Sequence, residues 1–359
     1  MSGRAGDRWV RFSLLAFIAV LVAPGALAAQ NAREPLEFGG LLRTGLRIEP
    51  DETGRVDGFE IFDARAKASG QVGLVFDYLI QVEFDTGDET FRLLDAAATI
   101  PILPEFELSL GLFRPAFGLE AGLDSDRGDL TFLEPAQATA GIAPGRQVGL
   151  GIDGSTFDGR LTYGAGVFNG NGSTVSNDGG FMVSGRAEYN SIGTIAFYED
   201  FVIQVGGSLA YSKDTAAPLG DGVVAPDPLP IEDAPLFSGE RFLLGADVQA
   251  TYREWSLTGE YYGADYTPDP ADPLPDDASS HGGYVEAGFR AYGAVELVTR
   301  YDAFKPAVGE DRRFLLFGFN VYPGTYAKFG LQYAVGLDDA LPTATVAGNQ
   351  FIFYAQVDF

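Results

Sequence analysis

Basic side chains recur in the first half of the sequence at spacings that suit anion binding. Arg43 and Arg47 lie four residues apart. Arg65 and Lys67 lie two residues apart, so either pair would share one face of an extended segment. A guanidinium group can bind two oxygens of a phosphate or a carboxylate at once. The complete set of candidate residues for an anion path is Arg43, Arg47, Arg65, Lys67, Arg92, Arg114, Arg127 and Arg146.

Acidic residues in the same part of the chain support a second interpretation, in which the arginines only brace the wall that carries them. The carboxylates that could pair with them are Glu37, Asp63, Asp77, Glu83 and Glu107. Opposed charges of this kind would also produce an electric field across a channel, which is compatible with both interpretations. The sequence leaves the two interpretations open.

The net charge excludes one large class of partners. The chain carries 24 Lys and Arg against 50 Asp and Glu, a formal charge of −26. A nucleic acid is therefore not expected as a partner, because no basic stripe is present to neutralise phosphates. Much of the acid falls in the Pro-rich segments 212–240 and 263–281, which are predicted to be solvated loops. Divalent-cation binding is the alternative, although no EF-hand spacing occurs.

The residue types needed for catalysis or for a metal centre are nearly missing. His281 is the single histidine and lies beside Ser279 and Ser280 in one of the acidic segments, where it is predicted to be a surface loop residue. A nucleophilic serine needs a base held in fixed geometry, which this context does not indicate. There is no Cys, so no Cys/His zinc cluster is expected. We expect no enzymatic activity, no cofactor and no metal site.

Alternating hydrophobic and polar residues supply the elements that would position the basic side chains. In 72–85, apolar residues at every second position oppose Asp77, Gln81, Glu83 and Asp85. Such segments match tilted membrane-spanning strands. The pattern predicts an all-β fold, a transmembrane antiparallel β-barrel of about sixteen strands. The predicted strands are 36–49, 59–69, 72–85, 90–100, 106–114, 146–153, 160–169, 181–190, 201–211, 241–252, 254–262, 282–291, 294–303, 313–322, 325–334 and 349–359.

Connector lengths give a further indication. Odd-numbered connectors such as 115–145 and 212–240 are mostly long, whereas even-numbered ones such as 292–293 are mostly short. Membrane barrels alternate short periplasmic turns with long outer loops, and a soluble β-sandwich has no reason to sort its loops in this way. The parity predicts that both chain termini lie in the periplasm.

The N-terminus carries the features of a signal peptide. Arg4, Arg8 and Arg11 precede the apolar run 12–22, and the small residues around 26–28 suit cleavage after Ala28. An uncleaved N-terminal anchor is the alternative. We therefore predict a signal peptide over 1–28 and a single barrel domain over 29–359.

Several segments resemble one known family in their order and spacing. They are 59–70 (FEIFDARAKASG), 91–96 (FRLLDA), 111–120 (GLFRPAFGLE), 131–134 (TFLE), 145–149 (GRQVG), 167–170 (VFNG), 260–262 (EYY), 296–302 (ELVTRYD), 318–322 (GFNVY) and the C-terminal 355–359 (AQVDF). Together they are similar to the phosphate-selective porins O and P, and the resemblance covers essentially all of the chain after the predicted signal peptide. The terminal Phe359 is typical of outer-membrane barrels.

The resemblance implies a sixteen-stranded porin, usually a homotrimer, in the outer membrane of a Gram-negative-type cell. The third loop, about 115–145, would fold inward and narrow the pore, with Arg114, Arg127 and Arg146 as its constriction candidates. We expect passive diffusion of small hydrophilic solutes and ions, with phosphate or other anions as candidate permeants. Members that favour phosphate use arginines and a lysine cluster. This chain has few lysines and has Pro135 where many members continue with Arg.

Other functions remain open at this point. A barrel of this composition could be a non-conducting structural or adhesive protein of the outer membrane. A transporter of apolar solutes would need an apolar lumen and a plug. The predicted inward faces are charged, and the segment before the first strand is too short for a plug. Outer-membrane lipid is the expected surrounding in each case.

Overall fold

The protein forms one closed barrel of sixteen antiparallel strands, in which each strand pairs with its neighbours in the sequence and the first pairs with the last. The computed structural model describes residues 36–49, 58–72, 76–85, 90–103, 105–123, 129–172, 180–191, 201–218, 236–270, 272, 278–307, 311–337 and 349–359. The predicted all-β barrel is confirmed. The predicted signal peptide and Arg127 lie outside the described residues.

The strand bounds follow the alternating segments closely. The strands are β1 Glu37–Ile48, β2 Gly58–Val72, β3 Phe76–Asp85, β4 Thr90–Leu103, β5 Phe106–Phe113, β6 Gln147–Thr156, β7 Leu161–Phe168, β8 Met182–Asn190, β9 Phe201–Pro218, β10 Leu236–Tyr252, β11 Trp255–Pro268, β12 Ser279–Ala291, β13 Val295–Lys305, β14 Arg312–Gly324, β15 Ala327–Gly336 and β16 Asn349–Asp358. The described residues between β5 and β6 include two short helices, α1 Glu120–Leu123 and α2 Gln137–Ile142. No helix in the described part of the chain is long and apolar enough to cross a membrane.

Four strands extend into segments that were predicted to be loops, and one of them, β12, begins at Ser279. β9 and β10 continue to the pair Leu236 and Pro218, and β11 continues to Pro268. Pro218 and Pro268 are the last residues of β9 and β11. A missing N–H group at a strand end removes few hydrogen bonds from the sheet. The prediction of irregular structure throughout 212–240 and 263–281 is therefore wrong at the edges of these segments, because ladder hydrogen bonds continue past the point where the alternation weakens.

The two faces of the barrel have opposite chemistry. Large apolar side chains are exposed on the outside, among them Phe59 at 86% and Leu110 at 61% of their surface. Charged side chains such as Arg43, Asp63 and Glu83 are buried on the inside. This arrangement is the reverse of a soluble protein and suits a barrel whose outer surface contacts lipid.

β-bulges in β2 and β4 change which side chains face the inside. Arg43 pairs with Asp63 but Thr44 pairs with Ile61, so Phe62 is an extra residue in β2. Leu94 is the corresponding extra residue in β4. A bulge inserts one residue and shifts the alternation of side chains. Residues after each bulge therefore face the opposite side from the one that strict alternation would give.

The barrel closes at the meeting of β1 and the C-terminus. The Gly40 N–H donates to the Phe359 carbonyl oxygen at 2.7 Å, and the Phe359 N–H donates to the Gly40 oxygen at 3.1 Å. A Cβ at Gly40 would lie 2.6 Å from the Phe359 ring and 2.5 Å from the Arg65 carbonyl oxygen. Only glycine fits this closure without displacing its neighbours.

We predict that Gly40→Val destabilises the barrel by about 1–3 kcal/mol, the usual cost of overpacking. The measurement is urea unfolding of the protein refolded in lipid vesicles. Gly58→Val is the matched control, because a Cβ there meets no atom within 4 Å. Equal unfolding midpoints for the two variants would contradict the prediction.

Candidate functional site

The segment between β5 and β6, residues 114–146 and here called loop 3, lies inside the barrel. The Gly118 N–H donates to the Ser208 hydroxyl of β9 at 3.0 Å. Further along loop 3, the Leu133 carbonyl oxygen accepts from the Arg43 guanidinium of β1 at 2.6 Å. β9 and β1 stand on opposite sides of the ring. The described parts of loop 3, which leave out 124–128, therefore cross the lumen.

A wall carboxylate holds the first helix of loop 3. Glu260 of β11 is buried, and its carboxylate accepts from the Leu119 N–H at 2.6 Å and from the Glu120 N–H at 3.0 Å. The N–H groups of a first helical turn have no partner within the helix. Glu260 supplies that partner from a distant strand, which fixes α1 against the wall.

The second helix of loop 3 is held in the same way. The Gln137 N–H donates to Asp302 of β13 at 2.9 Å. Glu120 of α1 accepts from the Ala136 N–H and from the Thr139 hydroxyl, each at 2.7 Å. Asp302 thus ties α2 to the wall, and Glu120 ties the two helices to each other.

Arg300 of β13 balances the acids around loop 3. Its guanidinium contacts Glu120 at 2.8 Å and Glu286 at 2.7 Å. It also lies over the rings of Phe132 and Tyr284, at 4.9 and 4.5 Å from their centres. Burying the Arg300 guanidinium group removes it from water, and these ion pairs and ring contacts offset that cost. Arg300 and Glu260 were not identified from the sequence.

Burial raises the pKa of Glu120 above its ordinary value of 4.5, although Arg300, the Thr139 hydroxyl and the Ala136 N–H partly oppose that shift. Glu120 lies in loop 3 and not in a membrane-spanning strand. Its protonated form is therefore favoured more in the folded protein than in the unfolded chain.

Apolar contacts complete the docking of loop 3. Leu133 packs against Phe62, Ile352 and Tyr354 on the wall strands at the closure of the barrel. Near the start of loop 3, the Phe117 ring stacks on Tyr262 at 5.8 Å. Loop 3 is thus anchored to the wall by polar and apolar contacts both near its start and in its middle.

A row of alternating charges follows the inner wall from β1 to β4. Arg43 pairs with Asp63, which also lies 3.5 Å from Arg65. Arg65 pairs with Glu83 at 2.9 Å, and Glu83 also binds Arg92 at 2.7 Å. We call these five residues the charge row.

Loop 3 ends beside this row. Arg146, the last residue of loop 3, forms a bidentate ion pair with Asp95 of β4. Its Nε and Nη2 atoms donate to the two carboxylate oxygens, each at 3.0 Å. Arg47 stays apart from the row, because it binds Glu60 at 3.2 Å and lies over the Phe62 ring. Both arginines are therefore held by carboxylates.

The candidate basic residues differ in exposure. Arg43 and Arg65 are buried, so their guanidinium groups brace the wall beneath loop 3. The Arg92 side chain is 61% exposed, whereas that of its partner Glu83 is only 10% exposed. Lys67 is half-buried on β2. The charge row therefore turns a guanidinium group toward the lumen at Arg92.

Arg114 lies at a cavity of about 380 Å³ between the start of loop 3 and strands β6 to β8. Arg186 of β8 lines the same cavity and binds Asp247 at 3.0 Å and Glu188 at 2.9 Å. Arg186 was also missed from the sequence, although its place in an alternating strand is the signal that could have found it. The cavity brings two basic groups, the acids Asp153 and Glu188, and aromatic walls to one place.

The histidine and the acidic residues form no metal centre in the part of the chain that is described, where no group of three His, Cys, Asp or Glu side chains could hold an ion. His281 lies within β12 and is exposed on the outer face. Its prediction as a loop residue is wrong, because β12 begins two residues earlier.

The sequence matches the phosphate-selective porin O and P family over residues 45–339. The chain belongs to this family. This porin is therefore an outer-membrane channel protein and not an enzyme, as predicted. No match to a curated protein was found.

Solved structures of other porins share the barrel. The anion-selective porin from Comamonas acidovorans aligns with a TM-score of 0.65 at 12% identity, over 90% of this porin and 99% of its own chain. OmpT of Vibrio cholerae aligns at 0.60 and 14% identity, over 91% and 99%. OmpF of Salmonella typhi, in complex with daunomycin, aligns at 0.63 and 13% identity, over 90% and 97%. At these identities the likeness shows the fold.

We predict that Glu260→Ala loosens loop 3, because two buried N–H groups lose their acceptor at about 1–3 kcal/mol each. The expected results are a noisier single-channel current and a lower unfolding temperature. Glu254→Ala, at the exposed turn before the same strand, is the control. Identical noise and unfolding temperature in the two variants would show that Glu260 does not hold the loop.

The raised pKa of Glu120 predicts a pH dependence of stability. Between pH 4.5 and the raised value, the folded protein binds more protons at Glu120 than the unfolded chain does. Its stability therefore falls as the pH increases through that window. Unfolding temperatures measured from about pH 5 to about pH 8 should fall less steeply in Glu120→Gln than in the natural protein.

Glu134→Gln is the control for this measurement, because Glu134 is a second carboxylate of loop 3 that is only half-buried. It should keep the slope of the natural protein. If Glu120→Gln also keeps that slope, Glu120 does not cause the pH dependence.

Proposed function

We propose that this porin is a diffusion channel for small hydrophilic solutes and ions, and that anions, phosphate included, pass along the charge row. The observation that carries the proposal is the unequal exposure of Arg92 and Glu83. Because the carboxylate is covered and the guanidinium group is exposed, a passing solute meets positive charge at this point. Rings and rows of charged side chains set ion preference in water-filled pores.

Loop 3 supports the choice of this wall as the solute path. It covers Arg43, Arg300 and the closure of the barrel, and it leaves Arg92 exposed. The cavity beside Arg114 and Arg186 lies on the same half of the ring as β4. We therefore assign the constriction to the space between loop 3 and strands β4 to β8, with Arg92, Arg114 and Arg146 as its basic groups.

Acidic residues oppose this preference at one level of the barrel. Glu107 of β5 and Asp153 of β6 are paired neighbours, and both are exposed. They lie toward the ends of their strands away from loop 3. A solute would thus meet basic groups at the level of loop 3 and acidic groups from the cavity beside Arg114, which Asp153 also lines, to the short connectors. The ion preference of the whole channel is the balance of these two levels.

The topology and the assembly belong to the same proposal. Short connectors between Tyr252 and Trp255 and between Ala291 and Val295 support a periplasmic position for that end, and hence for both termini. A homotrimer is supported by the family and by OmpT of Vibrio cholerae, for which a trimer form has been solved.

The test is the reversal potential of single channels under a KCl gradient. We expect anion selectivity, and we expect Arg92→Ala or Arg146→Ala to lower the permeability of chloride relative to potassium. One unit charge at about 4 Å in water is worth about 1 kcal/mol, so the change should be at most about fivefold. Arg253→Ala, in an exposed turn, is the control.

Each other result has a definite meaning. Unchanged selectivity in both variants would show that the arginines only brace the wall. Cation selectivity without block by added phosphate would show that the acidic level dominates and that the channel is a general porin. Absence of current from folded protein would favour a non-conducting structural barrel.

A further inference from the structure

A groove on the outer face of the barrel has a shape that the porin function does not require. It has a volume of about 660 Å³ and extends across β10 to β13. Its floor is made of small residues, Ala246, Gly259, Gly283 and Ala303. Larger apolar side chains, among them Tyr261, Val285 and Tyr301, stand around them.

The register explains how the groove arises. Gly283 pairs with Ala303 on one side and with Tyr261 on the other, and the next outward-facing row pairs Gly259 with Val285. Neighbouring strands lie about 4.8 Å apart, so small residues on adjacent strands leave a continuous depression between the tyrosines and the valine. A Cβ at Gly259 would be no closer than 3.7 Å to any atom. The space above Gly259 is therefore open. At Gly283, by contrast, a Cβ would lie 2.2 Å from the Glu260 carbonyl oxygen, so the wall itself requires glycine there.

Basic residues stand at one end of this groove. His281, which lines it, pairs directly with Lys305 on the next strand. Arg313 pairs with Ala303 of the groove floor. All three of these side chains are exposed, and two exposed acids lie near them, Asp311 beside Lys305 and Asp265 two residues from the partner of His281.

We propose that this groove is a binding site for a membrane lipid with a phosphate-bearing, negatively charged head group. An acyl chain would occupy the apolar groove, and Lys305, Arg313 and His281 would hold the phosphate. The groove lies on the face that the lipid of the outer membrane surrounds. Acyl chains are therefore the apolar groups that lie next to it. The basic residues favour a phosphate head group with a net negative charge over a zwitterionic one, in which an ammonium group cancels the charge of the phosphate.

The site combines an apolar groove with basic residues at one end, and both contribute to lipid binding. Each buried CH₂ group favours binding, and each basic residue near a lipid head group adds attraction. The basic end lies where β12 begins and β13 ends, next to the longer connectors. In the proposed topology this is the outward end of the barrel, so the head group would come from the outer leaflet.

The test is lipid binding to the full porin, purified, stripped of lipid and measured by native mass spectrometry. The probes are phosphatidylglycerol and phosphatidylcholine with identical acyl chains. We expect tighter binding of phosphatidylglycerol. Because each basic residue near a lipid surface is worth about a factor of five, Lys305→Gln with Arg313→Gln should weaken it by about twenty-five-fold and leave phosphatidylcholine little changed.

A second variant tests the groove itself. Gly259→Leu fills it and should weaken the binding of both lipids. Lys213→Gln is the matched control, because Lys213 is an exposed lysine on β9, outside the groove. The folded state of each variant is checked by its resistance to unfolding in detergent.

Two results would overturn the proposal. The first is equal binding of phosphatidylglycerol by the double variant and by Lys213→Gln. The second is a Gly259→Leu protein that binds lipid normally but has lost its subunit association, which would show that a second copy of the chain covers the groove.

Discussion

The hydrogen bonds from wall carboxylates to the backbone of loop 3 are the interaction on which the lumen depends. A helix of four residues is not stable by itself in water. α1 keeps its form because Glu260 accepts from its first N–H groups, and α2 is held by Asp302 and by Glu120. These contacts determine where loop 3 lies, and its position determines which charges of the wall reach the water.

The wall arginines that loop 3 covers therefore differ in role from those that it leaves exposed. Arg43 and Arg300 lie beneath loop 3, where removal from water is costly and each needs carboxylate partners. Their pairing fixes the geometry of the wall and leaves them little direct effect on a solute. Arg92 lies outside the area that loop 3 covers and keeps its guanidinium group in water. On the proposed solute path, the arginines of this barrel thus divide between bracing and lining according to the path of one loop.

Much of the architecture could be predicted from the sequence, because alternation in a membrane barrel is enforced on every strand by lipid on one side and water on the other. The extensions of β9 and β10 could not, since backbone pairing continues where the side chains no longer alternate. Glu260 and Asp302 were missed for another reason. Their role depends on which strands loop 3 meets, and that contact joins residues more than a hundred positions apart.

The β-bulges connect the sequence pattern to the site. Phe59 and Ile61 face outward, so strict alternation along β2 would turn Asp63 and Arg65 outward as well. The extra residue Phe62 reverses the alternation and brings both charges to the lumen. Leu94 does the same for Asp95, the partner of Arg146. Without these two residues, the alternation would turn Asp63, Arg65 and Asp95 toward lipid, where an unpaired charge is most costly. The arrangement of charges in the pore is therefore a consequence of where two strands depart from regular pleating.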